Sequence, residues 1–150
     1  MRPKVLPLLV VLVTAVLMGV VKAALPGFAI SFPGLRLAAL ALLLASVIVV
    51  SAGISSFARA GTTTDPLNPD RASVLVTGGI FRYTRNPMYL GMALFLAAIA
   101  LFLANWASLL LVLAFVWYMT EFQVKLEEQA LERRFGEQYA KYKASVRRWL

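Results

Sequence analysis

Cysteine and histidine are both missing from this 150-residue chain. Their absence excludes thiolate nucleophiles, disulfides, Ser-His-Asp chemistry and most zinc and haem ligation. Charge is scarce as well: 15% of residues are Asp, Glu, Lys or Arg, and 61% are hydrophobic. Soluble domains average about 25% charged and roughly 45–50% apolar residues. A mean hydropathy of +0.78 then excludes both a soluble single domain and a disordered chain. Any chemistry must come from carboxylates, guanidinium groups, amides, phenols or a borrowed cofactor.

What is present is a set of uncharged runs, Val5 to Val21, Leu37 to Ala58 and Asn86 to Thr120. The last run is too long for one span of about 20 residues and, with Asn105-Trp106 near its middle, reads as a tight hairpin of two helices. The expectation is an all-α integral membrane protein, a single membrane domain over 1–150 with four transmembrane helices at about 5–25, 35–57, 87–104 and 106–122. The first run also fits a signal peptide loosely, through Val21-Lys22-Ala23, but the spans that follow suit a start helix. Gly53 with Ser56 fits a close-packing pair between helices, but reads first as ordinary span composition.

The net charge of +8 is distributed by face. Thirteen of the fifteen Lys and Arg residues lie in the N-terminus, the loop from Arg59 to Arg85 and the tail, leaving Lys22 and Arg36 for the other side. The positive-inside rule places both termini, that loop and any polar site in the cytoplasm, with the cations at anionic lipid head groups and nucleic acid excluded as a partner. In the tail, Leu131, Phe135, Tyr139, Tyr142, Val146 and Trp149 recur at helical spacing, which predicts a C-terminal amphipathic cytosolic helix lying on the bilayer, broken or kinked at Gly136.

Boundary residues are the chemical candidates, because a charge at the edge of hydrocarbon is costly unless it is paired or used. Arg82, Arg85, Asn86 and Tyr89 stand where the long loop enters the third span, and Pro87 suits a first helical turn. Their spacing alone also fits an interfacial anchor. Glu127 and Glu128 follow the fourth span. Adjacent helical positions diverge by about 100°, so the two cannot form a face-to-face acid/base dyad; one can face inward to a cation, or both can be solvated. Gly78-Gly79 lacks the spacing of a dinucleotide or phosphate loop.

The order LVTGGIFRYTRNPMYLG, apolar hairpin, EEQALERRFGEQYAKYKASVRRW resembles the isoprenylcysteine carboxyl methyltransferase and phospholipid methyltransferase superfamily. The upstream GTTTDPLNP is similar to its small bacterial members, so the resemblance covers Gly61 to Trp149. It implies a cofactor-binding core over 61–149 and S-adenosylmethionine as the cofactor. The implied cofactor contacts are Val76 and Gly79 in the loop, Arg85, Asn86, Pro87, Tyr89 and Gly91 in the Arg-x-Pro-x-Tyr-x-Gly segment, and Glu127 and Glu128. Asn86 replaces a His common in the family and cannot titrate near neutrality. Gln123 stands where the isoprenylcysteine enzymes have Arg, which favours an amine or neutral acceptor over a carboxylate. Arg82 and Gln123 are the implied catalytic residues on the acceptor side, and no metal is implied.

The resemblance thus implies a membrane-embedded methyltransferase acting on a lipid, lipidated or small hydrophobic acceptor. Methyl transfer chiefly needs donor and acceptor aligned at about 3–3.5 Å with water excluded, which suits a chain without His or metal ligands. An NADPH-dependent membrane reductase of the sterol-reductase kind and a non-enzymatic four-helix small transporter are the alternatives. A transporter is expected to carry an ionisable residue inside a span, and none of the four spans has a central Asp or Glu.

Overall fold

A computed structural model describes residues 6–61 and 74–150. Most of GTTTDPLNP, and with it the cations Arg2, Lys4 and Arg71, lies outside the described residues. Helix α1 spans Pro7–Ala24, α2 Leu35–Ala60, α3 Pro87–Leu103 and α4 Trp106–Met119. A π-helical turn, Thr120–Val124, joins α4 to α5, Lys125–Phe135, and α6 follows at Glu137–Ser145. Among the described residues the one extended pairing is an isolated bridge between Ala29 and Asn105.

The chain is a membrane protein. Three helical stretches, Pro7–Ala24, Leu35–Ala60 and Trp106–Phe135, are long and apolar enough to cross a bilayer, and Pro87–Leu103 is a shorter apolar helix. Leu8, Leu12, Leu37, Leu44, Val47 and Ile48 all point outward, an apolar surface that suits lipid and would drive a soluble protein to aggregate. Local chemistry sets where the helices begin and end. Pro7 and Pro87 open α1 and α3, where a missing N–H costs nothing. Helix α2 continues to Ala60, beyond the 57 suggested by hydropathy, and is stopped by Gly61 in the left-handed conformation.

Helix α2 meets α3 along a seam of small residues. Its buried positions, Ala39, Ser46, Gly53 and Ser56, have little side chain, so the two backbones approach closely. Gly91 of α3 sits in this seam: a Cβ there would collide with Val50, and the Gly91 carbonyl accepts the Ser46 hydroxyl at 2.8 Å. Gly53 faces Pro87 and Met88, so Gly53 and Ser56 are packing residues rather than ordinary span composition. Met18, Leu96, Phe115, Met119 and Val124 build the main core between α1, α3 and the long helix.

The tail breaks at Gly136 as expected, but its apolar stripe packs on the protein itself. Gly136, at φ +50°, divides the amphipathic stripe between α5 and α6. Tyr139 and Tyr142 are buried against Phe81, and the Tyr142 hydroxyl donates to the Phe81 carbonyl at 2.7 Å. The stripe therefore covers the chain's own 3₁₀ turn, Gly79–Arg82, instead of the bilayer. Burial raises the pKa of both tyrosines above the ordinary phenol value, keeping them neutral hydrogen-bond donors.

Candidate functional site

The polar site forms where α3 begins and the long helix leaves the apolar bundle. One side is the segment 84–86 with Tyr89 one turn into α3; the other is the π-helical turn and the start of α5. A π turn adds a residue to the helical repeat and recurs at functional sites. Here it carries Gln123, buried, at the head of the turn that presents Glu127.

Two clusters result, one for each carboxylate. The buried Tyr89 hydroxyl donates to Glu127 Oε1, and the Gln123 amide donates to the same oxygen at 2.6 Å. Gln123 Nε2 also lies 3.3 Å from the Tyr89 hydroxyl. Among the described residues Glu127 makes no ion pair, so its charge is held by two neutral donors alone. Glu128, 5% exposed, is instead gripped by two arginines. Arg148 donates from Nε to Oε1 at 2.9 Å and from Nη2 to Oε2 at 2.7 Å, and Arg85 Nη2 stands 3.1 Å from Oε1. The Glu128 hydrogen bond pushes the Arg148 pKa up. The 100° divergence of neighbouring helical positions is what sends the carboxylates to different partners, and neither is a solvated charge.

Arg85 has more donors than partners. Its side chain is 8% exposed, yet Nε and Nη1 are buried without a hydrogen-bond acceptor. An orphaned buried donor costs about 1–3 kcal/mol, more when charged, so such a group calls for an explanation.

The C-terminal strap, residues 146–150, closes this end of the molecule. The Arg147 carbonyl accepts the Arg85 backbone N–H at 3.1 Å. The Arg148 carbonyl accepts the Asn86 side-chain amide at 2.9 Å and the Thr84 hydroxyl at 3.4 Å. Trp149 Nε1 donates to Thr120 in the π turn at 3.1 Å. Arg148 had no distinguishing mark in the sequence, being one of seven cations in the tail.

The structure thus brings together Arg85, Tyr89, Gln123, Glu127 and Glu128. Asn86 is beside them, with its amide nitrogen engaged by the strap. Gln123 belongs to the Glu127 cluster rather than to a separate acceptor side. Arg82 is exposed at the end of the 3₁₀ turn and makes no ion pair among the described residues. Pro87 and Gly91 face α2 and are accounted for by packing; Gly79 abuts Ser56, and Val76 packs on the Tyr139 cluster.

Comparison with known sequences now bears on this arrangement. The chain matches the phospholipid methyltransferase family over residues 35–138. It belongs to that family. The matched region of this phospholipid methyltransferase family member takes in both carboxylates and ends before the strap. A protein-S-isoprenylcysteine O-methyltransferase of Schizosaccharomyces pombe is 33% identical over 73 residues, 49% of this chain and 31% of the yeast protein. The protein-S-isoprenylcysteine O-methyltransferase A of Arabidopsis thaliana is 29% identical over 123 residues, 78% of this chain and 62% of the plant protein. The chain therefore spans less than two thirds of either methyltransferase. An uncharacterized protein of Haemophilus influenzae is 44% identical over 63 residues, 42% of this chain and the whole of that protein.

Proposed function

We propose that the protein is an S-adenosylmethionine-dependent methyltransferase that modifies a lipid, lipidated or small hydrophobic acceptor at the cytoplasmic face of a bacterial inner membrane. The observation that carries this reading is the unmatched valence at the site. Among the described residues Glu127 lacks a cation, and the Arg85 Nε and Nη1 groups lack an acceptor. A ligand that brings both an ammonium and a carboxylate complements the pair, and the amino-acid end of S-adenosylmethionine does so. The residues present fit the group.

In this reading Arg85 holds the ligand carboxylate through one of its two open donors, Nε or Nη1, in a charge-assisted contact, while Nη2 stays on Glu128. Glu127 holds the ammonium, and Tyr89 and Gln123 fix the carboxylate from its far side. S-adenosylmethionine supplies an electrophilic methyl group on a sulfonium sulfur. The chain's contribution is binding, orientation and exclusion of water by the apolar helix ends, since in-line displacement depends chiefly on positioning. The two curated methyltransferase relatives are named for O-methylation of isoprenylcysteine.

Calorimetric titration of the detergent-purified full chain with S-adenosylmethionine tests this directly. Saturable one-to-one binding is expected, with none for NADPH; the opposite pattern would move the protein to the reductase class. Orientation is accessible because the chain has no native cysteine. A cysteine at residue 150 is expected to resist a membrane-impermeant maleimide in intact cells, and labelling from outside would overturn the cytoplasmic placement.

A further inference from the structure

The proposed cofactor reading rests on Arg85 keeping two donors open, although a carboxylate able to take them lies beside it. Glu128 is in contact with Arg85, and a carboxylate next to a guanidinium ordinarily forms two parallel N–H···O bonds. Here it is Arg148 that makes the two parallel bonds, to Oε1 through Nε and to Oε2 through Nη2, and Arg85 does not reach Oε2. Arg85 is left with Nη2 on Oε1 alone. Its Nε and Nη1 consequently stay unpaired in a buried position.

We propose that Arg148 is a positioning residue that occupies Glu128 and so keeps an open donor of Arg85, Nε or Nη1, available to a carboxylate-bearing ligand. This deepens the methyltransferase reading and depends on it for the identity of that ligand. The strap is built to hold Arg148 in place independently of its guanidinium. The carbonyls of Arg147 and Arg148 accept from Arg85, Thr84 and Asn86, and Trp149 is pinned to Thr120. Substituting the Arg148 side chain leaves those backbone contacts available. Without the guanidinium, Glu128 Oε2 is freed and Arg85 closes onto the carboxylate with a second donor. The ligand must then break that pair before it binds.

The test compares the full-length wild type with R148A, R148K and the double variant E128Q/R148A. Two measurements are made on each: calorimetric affinity for S-adenosylhomocysteine, and water exchange of the Arg85 Nε–H by NMR in protein labelled with nitrogen-15 arginine. R148A is expected to bind about tenfold more weakly, and R148K, with a compact ammonium in place of the fork, to fall between it and the wild type. The double variant is expected to recover most of the loss, because the neutral amide that replaces Glu128 offers Arg85 no carboxylate. Such recovery distinguishes an effect through Glu128 from simple damage to the fold, in which losses would add. In the ligand-free protein, the Arg85 Nε–H is expected to exchange more slowly in R148A than in the wild type.

Unchanged exchange at Arg85 in both single variants overturns the positioning role, as does a double variant weaker than R148A. If the wild type itself fails to bind S-adenosylhomocysteine, the methyltransferase reading falls. The exchange measurement still decides whether Arg148 keeps Glu128 from Arg85. Should R148A fail to fold, R148K carries both measurements.

Discussion

Opposite the site, the bundle closes around a buried Asn105, 1% exposed, whose side-chain oxygen and nitrogen both have hydrogen-bond partners. Its side-chain oxygen accepts the Ser108 N–H and caps α4, its amide donates to the Leu25 carbonyl at 3.0 Å, and Ile30 donates to Ala104 at 2.8 Å. At the site end, the Arg85 side chain is 8% exposed, yet among the described residues two of its buried donors have no acceptor, and Glu127 rests on neutral partners. One end uses polar groups to satisfy a turn within an apolar bundle; the other holds valence in reserve. A buried donor left open costs stability, and the difference supports the proposal that a ligand, rather than the fold, completes the hydrogen bonding at the site end.

The largest effect expected from breaking this contrast is at the open end. E127Q keeps the shape of the side chain and removes its charge, and R85A removes the fork. Each deletes a charge-assisted contact of about 1.5–3 kcal/mol, so S-adenosylmethionine affinity should fall roughly ten- to hundredfold. Affinity within twofold of wild type for both would sink the assignment of the site.

Next comes the closed end. N105A strips the cap from α4 and leaves the Leu25 carbonyl with the Phe28 N–H at 3.3 Å in place of two donors. A loss of about 1–3 kcal/mol is expected, visible as a lower thermal midpoint in detergent. Cofactor affinity should be unaltered in the folded fraction. A binding defect equal to that of E127Q would mean that the two ends are coupled and that the contrast is false.

Apolar runs made the helices readable from sequence, because span length is fixed by the bilayer. What they could not supply was register and partnership. The stripe Leu131, Phe135, Tyr139, Tyr142 was visible, but its partner was Phe81 across a loop and not lipid. The resemblance singled out Arg85, Tyr89, Glu127 and Glu128, and spacing showed only that the two carboxylates diverge. Neither could single out Arg148, since its role arises from the strap folding back across α5. Gly91, read as a cofactor contact, turned out to answer to Val50 and Ser46, residues some 40 positions earlier that only the α2–α3 seam brings near.

The smallest effect expected is at Gln123, and there the structure changes the expected outcome. By sequence alone, Gln123→Arg restores a cation on the acceptor side and should draw carboxylate acceptors by a charge-assisted bond of roughly 1.5–3 kcal/mol. The Gln123 amide, however, is 2.6 Å from Glu127 Oε1, four residues along the same helix. A guanidinium placed there meets a carboxylate that lacks a cation before it meets any acceptor, and the Arg-to-Glu pair would absorb the new charge. The ratio of kcat/KM for a prenylcysteine carboxylate over an amine-bearing lipid is therefore expected to move by less than about threefold, because specificity is set by that ratio and neither acceptor gains a free cation. The more visible consequence should be weaker S-adenosylmethionine binding, since a Glu127 paired with arginine no longer seeks an ammonium. A large swing towards the carboxylate acceptor with cofactor affinity intact would show that residue 123 does face the acceptor, and that Glu127 is not the ammonium's partner.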